Sequence, residues 1–480
     1  MTEPAVAGSR VLVAGLARSG AAASLALLRR GAAVTVVDAA TEGAVLDRAA
    51  EVERAGARVL LGPAADRLPD EVDLVVTSPG WPPRAPLLTQ AAERGVTVWG
   101  EVELAWRLRG PDAAPWLVVT GTNGKTTTTR MLESILRADG RHALAVGNIG
   151  VPLVSVVTGT DHHDVLAVEL GSPQLHAVRS VSPEAATVLN LAPDHVDWHG
   201  SFDAYRDAKR VAYDRCRSTA LHNLDDSATG LLAREAALAP GCRLVGFTLR
   251  SPGLGEVGVS EGVLLDRAFG AGPEGTALAS VDDVHPAAPH NTANALAAAA
   301  MARSVGVSAQ AVSAGLRSFV AEPHRIALVA QVDQVTYVDD SKATNAHAAE
   351  TSLAAYPSVV WVAGGLAKGG EFDALVRRQA DRLRGAVLIG TDRARIAQAL
   401  ARHAPGIPVV EVEGPDTSDM SLMDRVVRAA RDMAGPGDTV LLAPACASWD
   451  QFSDYTERGR AFADAVRRLP RHEPDAGSPA

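Results

Sequence analysis

Apolar positions along the chain gather into short runs, and between the runs they recur every third or fourth residue. The runs read as buried strands and the spaced stretches as helices with one apolar face. On this pattern strands are predicted at 10–15, 33–37, 73–77, 116–119, 165–170, 187–191, 335–339, 359–364, 386–389, 408–412 and 439–442. Helices are predicted at 21–30, after Thr126 (apolar Met131, Leu132, Ile135 and Leu136) and at 202–215, where Ser201 is the cap and Tyr205 and Lys209 share a face. Strand–helix alternation predicts an α/β chain of open, mostly parallel sheets, with ligands at the carboxyl ends of the strands. Residues 250–285 break the pattern: six glycines from Gly253 to Gly272 read as a small β excursion of short strands and turns.

At 480 residues the chain is too long for one ordinary core. The Gly/Pro-rich stretch Arg109-Gly-Pro-Asp-Ala-Ala-Pro115 and the segment Glu322-Pro-His-Arg325 mark two boundaries. Three domains are expected: a Rossmann-like N-terminal domain (1–112), a central P-loop ATPase-type domain (113–321) and a C-terminal Rossmann-like α/β domain (322–480).

The strand at 116–119 runs into Thr120-Gly-Thr-Asn-Gly-Lys-Thr-Thr127 and then into a helix. Gly121 and Gly124 let the backbone turn sharply, so that loop amides and the helix N-terminus converge on one anion, most simply a phosphate. Lys125 supplies a point charge for the terminal phosphates, and the Thr126 hydroxyl is placed for magnesium. Val119 stands where the usual P-loop has its first glycine. The N-terminal Gly15-Leu-Ala-Arg-Ser-Gly20 reads as a loop but fails as a dinucleotide fingerprint, because Ala17 replaces the middle glycine. Asp38, ending the second strand, is a candidate for a sugar or base, or a turn cap. Gly80, in the turn Ser78-Pro79-Gly80, would let backbone approach a ligand.

Composition sharpens this picture at one point. The chain carries 46 basic residues, of which only Lys125, Lys209, Lys342 and Lys368 are lysine. Arginine serves wherever positive charge suffices, so the lysines are candidates for work that needs a compact ammonium or an amine able to lose its proton. The net charge of −10 argues against nucleic acid as a partner. Three cysteines without C-x-x-C spacing suggest neither a disulfide framework nor structural zinc. With no signal-peptide layout and no membrane-length apolar stretch, a cytoplasmic protein without membrane insertion is expected.

Further polar groups fall at strand ends. Glu169 closes the strand at 165–170, facing the phosphate loop as a candidate metal ligand; Asn148, in Gly147-Asn-Ile-Gly150, either reaches a ligand or makes a turn. Asp194-His-Val-Asp-Trp-His199 reads as a metal cluster or a solvated loop. Asn291 and Asn294 suit an adenine or ribose, or helix capping. In the last domain the constellations are Asp339-Asp-Ser-Lys-Ala-Thr-Asn345, Gly364-Gly-Leu-Ala-Lys-Gly-Gly370 and Pro444-Ala-Cys-Ala-Ser-Trp-Asp-Gln-Phe452, running on to Tyr455 and Arg458. Ligand-facing loops on both flanking domains imply closure over the phosphate site.

In this order, Gly-Thr-Asn-Gly-Lys-Thr-Thr, Asn-Ile-Gly, Val-Glu-Leu, Asp-His-Val-Asp, Tyr-Arg-Asp-Ala-Lys, His-Asn, Pro-His-Arg, Asp-Asp-Ser-Lys-Ala-Thr-Asn and Ala-Cys-Ala-Ser-Trp-Asp resemble the Mur ligases over nearly the whole chain. The pattern is that of the D-glutamate-adding branch. Alanine-adding relatives have His where Asn123 stands, and diaminopimelate- or lysine-adding relatives carry Asp-Asn-Pro-Arg in the last domain. The resemblance implies an ATP-dependent ligase of peptidoglycan precursor synthesis that phosphorylates the carboxylate of UDP-N-acetylmuramoyl-L-alanine and joins D-glutamate through an acyl phosphate. It implies ATP on Gly121, Thr122, Asn123, Gly124, Lys125, Thr126, Thr127, Asn291, Asn294, Arg325 and Asp340. Two Mg²⁺ sites are implied, one on Thr126 and Glu169, the other on His195 and a carbamylated Lys209. Lys125, His195, Lys209 and Arg325 are the implied catalytic set. Ser19, Asp38, Gly80 and Asn148 fall on the UDP-sugar side, and Lys342, Thr344, Lys368, Ser448 and Tyr455 around D-glutamate and the acyl phosphate; a monomer is expected. The chain departs from the family's Glu-Leu-Ser-Ser-Phe-Gln-Leu with Glu169-Leu-Gly-Ser-Pro-Gln-Leu175, from the polar residues after Asp38 with Ala39 and Ala40, and from an apolar aromatic with Tyr455. A related folylpolyglutamate-type ligase with another acceptor is the neighbouring reading, and a non-catalytic P-loop nucleotide-binding protein the more distant one.

Overall fold

A computed structural model of the chain describes residues 6–270, 272–321, 323–414 and 420–470. Glu322, at the expected boundary of the second domain, lies outside the described residues. By internal contacts the chain divides into two compact units, residues 1–287 with 291–319, and residues 288–290 with 320–480.

The first unit holds two sheets. In the first, β1 (Arg10–Ala14), β2 (Ala33–Asp38), β3 (Arg58–Leu61), β4 (Leu74–Thr77) and β5 (Thr97–Gly100) are all parallel in the order β3-β2-β1-β4-β5. The second comprises β6 (Trp116–Thr120), β7 (Ala143–Gly147), β8 (Val165–Glu169), β9 (Ala185–Val188), β10 (Thr219–Asn223), β11 (Arg243–Phe247), β12 (Glu256–Ser260), β13 (Val263–Asp266) and β14 (Thr276–Ser280). Their order is β14-β13-β12-β11-β10-β9-β6-β8-β7. Strand β6, fully buried, is central, so the loop that follows it opens at a carboxyl edge flanked by β8 and β9. The glycine-rich stretch supplies β12 to β14, an antiparallel extension.

The second unit holds β15 (Ala327–Val332), β16 (Val335–Asp339), β17 (Val359–Gly364), β18 (Leu383–Ile389), β19 (Val409–Glu411) and β20 (Thr439–Leu442), in the order β15-β16-β20-β17-β18-β19. Only β15 runs antiparallel to its neighbour.

The strands expected at 187–191 and 386–389 lie at Ala185–Val188 and Leu383–Ile389, and two helix boundaries move as well. The first helix begins at Arg18, taking Ser19 and Gly20 out of the loop. Gly20 packs against the Gly15 carbonyl so closely that a Cβ has no room, which lets the helix start directly after Ala17. The helix expected at 202–215 stops at Arg210 and gives way to a 3₁₀ turn, Val211–Tyr213. The cause is Tyr213, fully buried, whose hydroxyl donates to Leu221 O (2.7 Å) and accepts from Val188 N (2.9 Å), pulling the chain into the core.

Candidate active site

The loop after β6 is held from below by side chains distant in sequence. Asn190 grips Asn123 at both backbone atoms, accepting from its N–H at 2.8 Å and donating to its carbonyl at 3.1 Å. Thr122 Oγ1 donates to Ala192 O (3.1 Å) and lies 2.8 Å from the Tyr205 hydroxyl. Gly124 takes a left-handed conformation (φ 81°) before the helix Lys125–Ala138, and a Cβ there would collide with Asn294 Oδ1. Asn294 in turn accepts from Thr128 Oγ1 (3.2 Å) and donates to Asn291 Oδ1 (3.3 Å), while Asn291 donates to Pro286 O (3.0 Å). Both asparagines thus hold the loop's neighbourhood in place rather than capping their own helix.

Two lysines converge on the same backbone. Lys125 Nζ curls back to the carbonyls of Gly121 (3.0 Å) and Thr122 (2.8 Å). Lys209 Nζ donates to Gly121 O at 2.8 Å and stands 4.8 Å from the Tyr205 ring centre, as their shared helix face requires. Lys209 is only 1% exposed, and its pKa is driven well below the ordinary lysine value by burial first and then by Lys125. Both effects favour the uncharged amine more than in an ordinary lysine.

Glu169, 1% exposed at the end of β8, accepts from Asn148 Nδ2 at 2.8 Å through Oε1, while Oε2 is buried with no hydrogen-bond partner among the described residues. Such an oxygen is a costly arrangement unless a cation meets it. Thr126, also buried, is the second residue of the adjoining helix, and Thr127 follows it. His195 has left-handed backbone (φ 51°) and a half-exposed side chain, with Asp194 at 3.8 Å as its nearest carboxylate. Among the described residues no three His, Cys, Asp or Glu side chains gather as a metal cluster, and Val196–His199 forms a short helix that follows His195. His199 instead contacts Ser172 Oγ (3.0 Å) and is pushed down to about 4, chiefly by burial.

In the first sheet Asp38 serves its own turn: its carboxylate accepts from Leu16 N (2.6 Å) and Ala40 N (2.9 Å). Ser19 lies in the first turn of a helix, and Arg18 beside it reaches Gly150 O at 2.6 Å, fixing the turn that carries Asn148. Gly80 is exposed, has no left-handed φ and has open space at its Cβ position, so nothing in its own backbone demands glycine.

In the second unit, the loops at the ends of β16, β17 and β20 carry the remaining candidates. Lys342 Nζ lies 3.7 Å from the Tyr455 ring centre and Lys368 Nζ 3.7 Å from that of Trp449. Asp340 is buried, accepts from Ser352 Oγ, and is pushed up to about 6 by burial, with Arg325 opposing. Thr344 N donates to Lys342 O, and Ser448 is buried with its carbonyl capping Gln451 and Phe452. Two supports were not read from the sequence as such. His324 Nδ1 contacts Asp339 Oδ2 at 2.6 Å, and buried Arg458 ties Ser341 (Nε to Oγ, 2.9 Å; Nη2 to O, 2.9 Å) to Cys446 O (3.1 Å). Arg458 joins the loops after β16 and β20, and the one available signal was its place at the end of the third constellation.

Three family profiles cover the chain: an N-terminal domain of the Mur ligase D-glutamate-adding type at residues 9–100, a Mur ligase middle domain at 119–302 and a Mur ligase glutamate ligase domain at 324–446. The chain belongs to the Mur ligase family. It is 58% identical to a UDP-N-acetylmuramoylalanine–D-glutamate ligase of Streptomyces avermitilis, over 96% of this chain and 98% of the relative. It is 56% identical to one of Thermobifida fusca, over 96% and 99%. Among solved structures, the UDP-N-acetylmuramate–alanine ligase of Thermotoga maritima matches with TM-score 0.56 at 18% identity over 96% of this chain and 99% of that one, a likeness of fold. Among the described residues of this Mur ligase no helix is long and apolar enough to cross a membrane.

Proposed function

We propose that the chain joins D-glutamate to UDP-N-acetylmuramoyl-L-alanine with ATP as the third substrate. One arrangement carries the reading: an anion-binding loop on which two lysines converge beside a buried carboxylate with an uncommitted oxygen. The near full-length match to relatives named for this ligation supports the choice of substrates. The L-alanyl carboxylate attacks the terminal phosphorus of ATP, ADP departs, and an acyl phosphate remains. The amine of D-glutamate adds to the acyl carbon, phosphate leaves with the electron pair of the broken C–O bond, and the amine proton passes to solvent.

Phosphoryl transfer needs charge stabilisation more than covalent help. The amides from Gly121 to Thr127 cradle the phosphates, and Lys125 exchanges its loop carbonyls for the migrating group. Asn291, Asn294, Arg325 and Asp340 serve the nucleotide. Thr126 and Glu169 would hold one Mg²⁺, a fit supported by the partnerless Oε2 of Glu169. His195 and the carbamate of Lys209 would hold the second. When bound, the metal offsets charge on the phosphate oxygens. Lys209 becomes a carbamate when its uncharged amine adds CO₂ and releases a proton, and the depressed pKa favours that form. Ser19, Asp38, Gly80 and Asn148 serve the UDP-sugar, so residues 1–112 act as the UDP-substrate domain, 113–321 as the ATP domain and 322–480 as the amino-acid domain. Lys342, Thr344, Lys368, Ser448 and Tyr455 serve D-glutamate and the acyl phosphate, Lys368 meeting a substrate carboxylate. The protein works as a monomer in the cytoplasm.

Phosphate release from ATP, with each substrate omitted in turn, tests the reading. Turnover should require both UDP-N-acetylmuramoyl-L-alanine and D-glutamate. Equal turnover with L-glutamate, meso-diaminopimelate or a folate acceptor would contradict it.

A further inference from the structure

Within the first unit a cavity of about 140 Å³ lies beside the Ser78-Pro79 turn. Much of its wall is apolar, with Trp81, Leu88, Val98 and Trp198 among the lining residues, and His176 and Arg179 line it as well. Arg179 turns its guanidinium to the carbonyls of His176 and Val178 (both 2.9 Å), which leaves Glu101 as the acidic side chain in the wall. Glu101, at the start of the helix Glu101–Leu108, is 3% exposed, and only its Oε1 is engaged, accepting from Val154 N at 2.7 Å. Its second oxygen has no hydrogen-bond partner among the described residues.

Glu103, two residues on, shows what a satisfied buried carboxylate looks like in this helix. It accepts from Arg107 Nε (2.6 Å), Ser180 Oγ (2.5 Å), Ser180 N (2.9 Å) and Arg179 N (2.7 Å), and its pKa falls below the ordinary carboxylate value. Glu101 moves the other way, pushed up to about 7 by burial with only the Val154 amide opposing. The bond to Val154 explains one oxygen as a tether to the helix Leu153–Val157; it leaves the other without a partner at a cavity lined by apolar and indole side chains together with Gln174, His176 and Arg179. A buried carboxylate without a counter-charge is costly, and a cation entering the cavity relieves that cost.

We propose that this cavity binds a small organic cation, a protonated amine or amidine on a flat apolar body, whose nitrogen donates to the free oxygen of Glu101 while the body packs against Trp81 and Trp198. The charged hydrogen bond supplies the polar contact, and the indole faces favour both the flat body and its positive charge. The inference does not depend on the reaction proposed above, and its test reads binding rather than turnover.

Benzamidine, benzamide and benzoate have one body and differ in charge, so calorimetric titration of the full chain with each at pH 8 is decisive. Benzamidine should bind saturably and at least tenfold tighter than benzamide, and benzoate should not bind. Glu101→Gln keeps an oxygen for Val154 N while removing the charge, and should cut benzamidine affinity by at least about tenfold, on the scale of a lost charged hydrogen bond. Should that variant not fold, Trp198→Ala, with Glu101 intact, should weaken benzamidine and benzamide alike. Between pH 8 and pH 6 the wild type should lose roughly tenfold in benzamidine affinity as a carboxyl titrating near 7 takes up its proton. The other ionisable groups on elements packed around Glu101 are Glu103 and Arg107 on its own helix, His176 and Arg179 on the segment after β8, and Arg18 and Arg29 on the first helix. Burial holds His176 below its ordinary pKa, so it stays uncharged over most of that window. Equal affinity for benzamidine and benzamide, no saturable binding, or undiminished benzamidine binding by Glu101→Gln would each overturn the proposal.

Discussion

Lys125 and Lys209, in the first unit, rest on backbone carbonyls; Lys342 and Lys368, in the second, rest on aromatic rings. The two settings treat positive charge in opposite ways. Around Gly121 a pair of lysine amines is crowded onto one loop, and burial, with Lys125 beside it, lowers the pKa of Lys209. Over Tyr455 and Trp449 a ring face attracts the ammonium without neutralising it. Trp449 is 65% exposed, an unusual setting for a tryptophan whose only role is packing. The lysines kept by this arginine-rich chain fit the proposed roles, an amine that loses its proton at Lys209 and a compact cation at Lys342 and Lys368.

Breaking the first setting should cost most. Lys125→Ala should lower kcat by about a thousandfold or more, the scale for removing a preorganised charge from a transition state, measured as phosphate release. A near wild-type rate would remove the phosphate loop from the chemistry. Lys209→Arg comes next: it preserves charge yet should lose nearly all activity, because a guanidinium cannot release its proton and form a carbamate. Carbon-13 bicarbonate should give a carbamate signal in the wild type that Lys209→Arg lacks; normal turnover by the variant would return Lys209 to a structural role.

The second setting should respond more mildly and in a different constant. Lys368→Ala should raise the KM for D-glutamate by about 1.5–3 kcal/mol, with kcat and the ATP KM little changed. A raised ATP KM instead would move Lys368 to the nucleotide. Trp449→Leu should give the smallest effect, about 0.5–1 kcal/mol in the D-glutamate KM, as befits an exposed cation–π contact. Trp449→Phe should recover part of it, and no change with Trp449→Leu would leave the ring without a part in holding Lys368.

These assignments were legible unevenly. Strands β6 and β8 are apolar up to their last residue and announce themselves, and β16, β17 and β20 are mostly apolar. The edge strands β3 and β15 were not predicted although each holds a single polar residue, because a short apolar run without alternation does not tell a strand from a helix segment; the internal β10 was not predicted either. The loop's glycines and lysine follow a local rule and were readable, whereas the Asn190 grip on Asn123 spans 67 residues and exists only once β6 and β9 are neighbours. Glu101 and Glu103 open a helix as solvated acids do, and only tertiary packing buries them. Asn148 and Asp38 were open between ligand contact and turn-making; the fold gives each an internal partner, Glu169 for one and the Leu16 amide for the other. The carbonyls that hold Lys209 could not be foreseen, because a helix face predicts which side chains are neighbours but not which backbone they meet.

The claim on which all of this rests is that ATP activates the carboxylate of the UDP-linked substrate before D-glutamate attacks. Oxygen-18 in both oxygens of the L-alanyl carboxylate follows that step directly. When the carboxylate attacks phosphorus and the amine later displaces phosphate from carbon, one labelled oxygen leaves with the phosphate and the other stays in the amide. Mass spectrometry should therefore find one oxygen-18 in each inorganic phosphate released and one in each ligated product. Unlabelled phosphate formed alongside the ligated product would contradict the acyl-phosphate route.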